Sequence, residues 1–165
     1  MKNTAKLLTA LSMLTLFAAP ATAQVSPFVS AQVDAAAKPC IDINSAMTGL
    51  QGAQAKAIAN AALNPCYEAL ITLDNFEKTN GAGLTPDEAN YFYYVGGNLI
   101  WMTATAETIK NNGQLNPSIC FQVKAAETAW GNVAVPTGSA VDLDMRNSQL
   151  RSLLLPACLK AEQRQ

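Results

Sequence analysis

Four cysteines are the residues of this chain best suited to chemistry: Cys40, Cys66, Cys120 and Cys158. A zinc site normally brings two ligand cysteines within a few residues of each other, and none of these four has another so close. An even number of widely spaced cysteines is typical of disulfides in chains that leave the reducing cytoplasm. We therefore predict two disulfides and no metal site.

Histidine is absent from the 165 residues, which removes the commonest general base, the commonest metal ligand and the attachment motif of c-type haem. Asp87 and Glu88 are adjacent carboxylates, but they fall at a predicted helix start, where negative charge is favoured. We therefore predict no catalytic residue, no cofactor and a protein that is not an enzyme. A carboxylate-based hydrolase is the alternative, because two acids from different helices can meet in a cleft.

Residues 1–23 have the order of a cleavable secretory signal peptide. Lys2 and Lys6 begin it, an apolar run follows, and small residues end it at Ala23. The apolar run is shorter than the roughly 20 residues of a spanning helix, so we predict no membrane anchor after cleavage. The predicted location is the periplasm or the outside of the cell.

The rest of the chain is predicted to contain a loosely ordered leader over residues 24–39 and a single helical domain over residues 40–165. Pro27 and Pro39 interrupt the leader. In the domain, apolar residues recur at steps of three and four, which is typical of helices. The expected fold class is all-α, a small up-and-down bundle of four to five helices. The basic residues are scattered singly and the net charge is −1, so no nucleic-acid partner is predicted.

Three helix starts can be located from local signals outside the central helix. Asn64-Pro65 and Asn116-Pro117 each place an N-cap residue before a proline at the first helical position. We predict that the first of these helices ends near Lys78 and the second near Trp130. A last helix is predicted to begin near Ser139 and to run towards Cys158.

A central helix is predicted from the capping box Thr85-Pro86-Asp87-Glu88 to Asn112-Gly113. Its apolar stripe consists of Phe92, Val95, Leu99, Met102, Ala106 and Ile109. A second stripe contains Tyr91, Tyr94, Asn98 and Trp101, continued by Thr105 and Thr108. Tyrosine and tryptophan combine a large contact area with a polar tip, so this second stripe is a candidate partner-binding face. The alternative is that it packs against another helix.

Two disulfide pairings fit successive antiparallel helices. Cys66 with Cys120 would tie two helix starts together and leave Cys40 to pair with Cys158. The other pairing, Cys40 with Cys66 and Cys120 with Cys158, would staple each helical hairpin. The sequence leaves both open.

The layout also resembles two families of small periplasmic proteins. Cys66-Tyr67-Glu68-Ala69-Leu70, Tyr94-Val95-Gly96-Gly97-Asn98-Leu99 and Asn116-Pro117-Ser118-Ile119-Cys120 resemble the layout of HdeA-type acid-stress chaperones. The ending Leu155-Pro156-Ala157-Cys158 is similar to that of Tai-type immunity proteins. The first resemblance implies a helical protein that binds unfolding clients in acid, and the second implies one that blocks a cell-wall amidase toxin.

We therefore predict a non-catalytic exported protein that binds another protein, as a chaperone-like or an inhibitory partner. One alternative is a periplasmic immunity protein that blocks one cognate cell-wall hydrolase toxin. Another is a structural component of the envelope. The expected partner is a client protein or a cognate toxin, with a homodimer as the alternative arrangement.

Overall fold

A computed structural model describes residues 25–47, 49–130, 133, 148 and 150–163. The helices whose full ranges lie in the described residues are α1 (Pro27–Ser45), α2 (Gly52–Asn80), α3 (Pro86–Lys110), α4 (Pro117–Trp130) and α5 (Leu155–Glu162). A 3-10 turn, Gly81–Gly83, links α2 to α3, and a π-helical turn, Leu150–Leu154, leads into α5. None of the residues in these described ranges forms a strand. The predicted all-α helical bundle is confirmed.

Interhelical hydrogen bonds fix the directions of the first three helices. Lys56, near the start of α2, reaches Asn112, just after α3, whereas Glu77 near the end of α2 reaches Tyr93 near the start of α3. These two helices are therefore antiparallel. The amide of Ser26, which caps α1, donates to the Glu88 carboxylate in the first turn of α3 over 3.3 Å, so α1 and α3 start at the same end.

Helix α3 lies at the centre of the bundle. It packs on α1 and α2, and it also packs on α4 and on the π-helical turn before α5. One cluster of buried side chains joins α1, α2 and α3, and a second joins α3, α4 and the α5 region. The predicted apolar stripe of α3 is confirmed, since its members either belong to the first cluster or pack against it: Phe92, Val95, Leu99, Met102, Ala106 and Ile109.

The prediction of a loosely ordered leader over residues 24–39 was wrong. Residues from Pro27 onwards form α1, which Ser26 caps by accepting a hydrogen bond from the amide of Val29. Val29, Val33 and Ala37 are buried at steps of four, so α1 is a core element and the predicted domain boundary at residue 40 falls inside it. Side chains as small as valine and alanine produce only a weak apolar stripe, so the sequence pattern does not indicate a core helix here.

The predicted helix start at Asn64-Pro65 was also wrong, because α2 continues through Pro65 without a break. A proline inside a helix removes one backbone hydrogen bond and clashes with the preceding turn. The buried face of α2 nevertheless continues across it, with Ala62 and Leu63 before the proline and Cys66 and Ala69 after it. Packing of this face on α1 and α3 outweighs the local signal, as tertiary contacts commonly do.

Two further local start signals, at Thr85 and at Asn116, were correct. The hydroxyl of Thr85 accepts from the Glu88 amide over 3.3 Å, and the Thr85 amide donates to the Glu88 carboxylate over 2.9 Å, which completes the predicted capping box. At the start of α4, the amide of Ser118 donates to the Asn116 side chain over 3.0 Å. Helix α3 ends where predicted, because Asn112 and Gly113 adopt the left-handed backbone region with φ of 54° and 87°.

Both disulfides staple neighbouring helices. Cys40 of α1 pairs with Cys66 of α2, and Cys120 of α4 pairs with Cys158 of α5. The alternative that joined Cys66 to Cys120 and Cys40 to Cys158 was wrong. Each bond joins two helices that pack on each other, so no contact between distant helices is required.

Two expectations concern parts of the chain outside the described residues: the signal peptide over residues 1–23 and the start of the last helix near Ser139. In the described ranges, no helix combines the length and the apolar character that a membrane crossing needs.

Candidate functional site

The tyrosine and tryptophan stripe of α3 is largely enclosed by its neighbours. Tyr94 and Trp101 keep only 8% and 7% of their surface exposed, and they belong to the first and the second buried cluster respectively. The Tyr91 hydroxyl donates to the Asp34 carboxylate of α1, and the side-chain amide of Asn98 donates to the Tyr94 carbonyl of its own helix over 2.9 Å. The helix-packing interpretation therefore accounts for this stripe better than an open partner-binding face does.

Carboxylates accept the hydrogen bonds that three tyrosines donate between helices. Tyr67 of α2 donates to Glu107 of α3, and Tyr93 of α3 donates to Glu77 of α2 over 2.7 Å. Burial, and then the bond to Glu107, raise the pKa of Tyr67, while the bond to Glu77 is the main cause of the raised pKa of Tyr93. These hydroxyls stay protonated and act as donors that hold α2 against α3.

The adjacent acids Asp87 and Glu88 lie in the first turn of α3, where the unpaired amides of the helix start favour negative charge. Glu88 accepts from Ser26 and from Thr85, and these hydrogen bonds lower its pKa to about 2. Its geometry is that of a capping residue that joins the start of α1 to the start of α3.

In the part of the chain that the structure describes, no group of side chains forms a metal site. All four cysteines are in disulfides. No group of three or more histidine, cysteine, aspartate and glutamate side chains there is placed to hold an ion.

An open groove of about 560 Å³ lies between α2 and α4 above α3, and we call it the α2–α4 groove. Both of its wall helices pack on α3, which supplies the floor. One wall contains Tyr67, Leu70, Ile71, Asp74 and Glu77 of α2, and the other contains Phe121, Gln122, Ala125, Ala126 and Ala129 of α4. The floor consists mainly of Phe92, Tyr93, Gly96, Gly97 and Ile100.

Large apolar side chains of the groove face solvent to an unusual extent. Phe121 is 76% exposed, Ile71 60% and Tyr93 48%, and each comes from a different helix. Scattered exposed apolar residues are normal on a protein surface, but three that converge on one concavity form a contiguous patch. Patches of this kind are typical of sites that bind another protein or an apolar ligand.

The sequence contained a signal for these residues that the prediction did not use. Ile71 lies outside the buried face of α2. Phe121 lies outside the buried positions of α4, which are Ile119, Cys120 and Val123. Large apolar residues off the buried stripe are candidates for an exposed binding face. Their convergence depends on how α2 and α4 pack on α3, which no local pattern specifies.

The fold and the groove together define the class: a small disulfide-bonded helical bundle with an open apolar groove. Comparison with protein-family models, curated proteins and solved structures finds no match to this chain. The α2–α4 groove and the disulfides are therefore the features of the molecule that indicate a function.

Proposed function

We propose that this chain is an exported, non-catalytic protein that acts by binding another protein, as a chaperone-like or an inhibitory partner. The observation that carries the proposal is the exposed apolar surface of Ile71, Tyr93 and Phe121 in the α2–α4 groove. Leaving this surface in water is unfavourable by roughly 25 cal/mol for each Å² of apolar area, and covering it with a partner recovers that free energy.

The proposed location is the periplasm or the outside of the cell. The two disulfides support it, because such bonds persist in oxidising compartments and are rare in the cytosol. The predicted signal peptide over residues 1–23 supports it independently.

The groove is already formed in the folded bundle, and this favours the inhibitory form of the proposal. Tyr67 with Glu107, and Tyr93 with Glu77, tie the α2 wall to the floor helix, so no unfolding is needed to present the groove. A preformed site suits one partner segment, as in an immunity protein that blocks one cognate cell-wall hydrolase toxin. A chaperone would instead expose additional surface below about pH 4, where carboxylates take up protons.

The test is capture of partners from periplasmic extract at pH 7 and at pH 3, using the oxidised protein and two variants. Phe121→Ser removes the most exposed of the large apolar residues that line the groove. Phe28→Ser is the matched control, because Phe28 is 61% exposed on α1 and does not line the groove. Both side chains are largely in solvent, so neither change is expected to affect folding.

We expect one dominant partner at pH 7 that Phe28→Ser retains and Phe121→Ser loses. Many partners that bind only at pH 3 would support the chaperone form. Capture that is the same for all three proteins, or no capture at either pH, would contradict binding through the groove and favour an envelope component or a hydrolase.

A further inference from the structure

We propose that the α2–α4 groove receives one amphipathic helix of the partner, with lysine or arginine along the edge that faces α2. The inference rests on the proposed function and specifies the chemistry of the segment that is bound. Length, the shape of the floor and the distribution of charge each contribute to it.

The dimensions of the groove suit a short helix. Its lining residues run from Tyr67 to Glu77 on α2 and from Phe121 to Ala129 on α4. At 1.5 Å per residue these walls are about 12 to 15 Å long, which is between two and three helical turns. An extended peptide between mainly apolar walls would leave its backbone amides and carbonyls without partners, whereas a helix satisfies them internally.

The floor and one wall leave room for close approach of another helix. Gly96 lines the groove, and a Cβ atom added there would meet only the Leu73 side chain at 3.9 Å, an ordinary contact. The packing of this chain therefore does not require glycine at position 96. The missing side chain enlarges the groove, and the three alanines of α4 keep the opposite wall low. Helices pack at axis separations of 8 to 10 Å when the facing side chains are small.

Charge makes the two edges of the groove different. Asp74 and Glu77 are acidic and both belong to α2, whereas Gln122 on the α4 wall is neutral. Among the described residues that line the groove there is no lysine or arginine. Asp74 forms an ion pair with Lys78, which offsets its charge. Glu77 accepts a hydrogen bond from the uncharged Tyr93 hydroxyl, which does not offset the charge of the Glu77 carboxylate. A partner helix is favoured when its α2-facing edge is basic and disfavoured when that edge is acidic.

A second copy of this chain is the competing occupant. Leu153 and Leu159 are also exposed, Leu159 directly precedes Lys160, and neither leucine lines the groove. If these residues occupied the groove of a neighbouring molecule, the protein would self-associate through Phe121. The test therefore includes the oligomeric state.

The experiment is selection from a displayed library of helical peptides of about 18 residues, with the oxidised protein produced from the full chain as the target. Leucine or alanine is fixed at every third and fourth position, and the flanking positions carry lysine, glutamate, glutamine or serine. Selected peptides are then synthesised, and their affinities are measured by fluorescence anisotropy at low and high salt.

Three variants, two of them with matched controls, divide the proposal into its parts. Phe121→Ser tests the apolar wall, with Phe28→Ser as its control. Gly96→Ala tests close approach over the floor. Asp74→Asn tests the acidic edge, with Asp42→Asn as its control, because Asp42 belongs to an equally exposed pair with a lysine four residues away. Sedimentation of the wild type and of Phe121→Ser measures self-association.

We expect enrichment of lysine along one edge of the selected peptides and affinities that weaken with salt. Phe121→Ser should reduce affinity about tenfold or more, as truncation of a central contact does. Gly96→Ala should reduce affinity by a similar factor, because the added methyl group occupies the space that the bound helix needs over the floor. Asp74→Asn should reduce it severalfold and lessen its salt dependence, while Phe28→Ser and Asp42→Asn should leave it unchanged.

Enrichment of glutamate, no bias in charge, or no selected peptide would overturn the proposal. Self-association of the wild type that Phe121→Ser abolishes would assign the groove to a second copy instead. If the peptide experiment fails while periplasmic capture still depends on Phe121, the proposed function stands and only the helix and charge assignment is lost. If capture is also independent of Phe121, binding through the groove itself is wrong.

Discussion

Glu88 shows how much of this fold depends on a single carboxylate. It accepts from Thr85 in the capping box and from the amide of Ser26, the residue that caps α1. The Ser26 side chain is the largest contribution to its lowered pKa, the bonds from Thr85 follow, and the Ser26 amide adds a smaller one. The charged form of Glu88 therefore stabilises the starts of two helices at once.

We predict that Glu88→Gln destabilises the protein at neutral pH and has little effect in strong acid. A group whose pKa is lower in the folded protein stabilises the fold above its unfolded pKa and loses this contribution as pH falls through the folded value. The difference in unfolding free energy between wild type and variant should therefore be largest above pH 4.5 and vanish below about pH 2.

Urea denaturation of both proteins across this range measures the difference, and the subtraction removes the contribution of every other carboxylate. Thr72→Ala is a suitable control, because the Thr72 hydroxyl bonds only within its own helix, to the Glu68 carbonyl. A difference that stays constant from pH 7 to pH 2 would show that the charge of Glu88 is not what stabilises the two helix starts.

At the scale of helices, α1 depends strongly on its disulfide to α2. The Cys40–Cys66 bond closes a loop of 26 residues and connects a helix whose buried side chains are mostly valine and alanine. Small side chains bury little apolar area, so packing alone holds α1 less firmly than the aromatic and leucine contacts hold α3.

We predict that replacing both Cys40 and Cys66 by alanine lowers the unfolding free energy by about 3 to 4 kcal/mol, the chain-entropy value for a loop of this length. In hydrogen exchange, amides of α1 should lose protection before those of α3. The Cys120→Ala, Cys158→Ala pair is the comparison, since it should affect α5 and leave α1 protected. Equal loss of protection in α1 and α3 would contradict a locally weak α1.

Helix starts could be predicted from sequence where the signal is local. The Thr85 capping box and the Asn116 cap act through hydrogen bonds within a single turn, and both are present as predicted. The same kind of signal at Asn64-Pro65 failed, because the buried face of α2 spans it and packing decides. The disulfide pairing could be narrowed to two alternatives but not chosen, since the choice depends on which helices are neighbours.

At the scale of the whole molecule, the α2–α4 groove arises because two helices pack on α3 and leave a gap between them. Periodicity indicated which residues of each helix point inward, but it could not show that Ile71, Tyr93 and Phe121 converge. The composition of the tyrosine and tryptophan stripe predicted a candidate site. Composition alone, however, does not distinguish a second buried face of a helix from an exposed one. The position of α3 at the centre of both cores explains why this stripe is enclosed.

The most direct test of the central claim is photo-crosslinking in cells that produce and export the chain. A photoreactive phenylalanine analogue is placed at position 121 in one protein and at position 28 in another, two exposed phenylalanine sites of which only the first lines the groove. Binding through the groove predicts a discrete crosslinked protein from position 121 and none from position 28. Crosslinks of equal yield from both positions, or none from position 121, would contradict it.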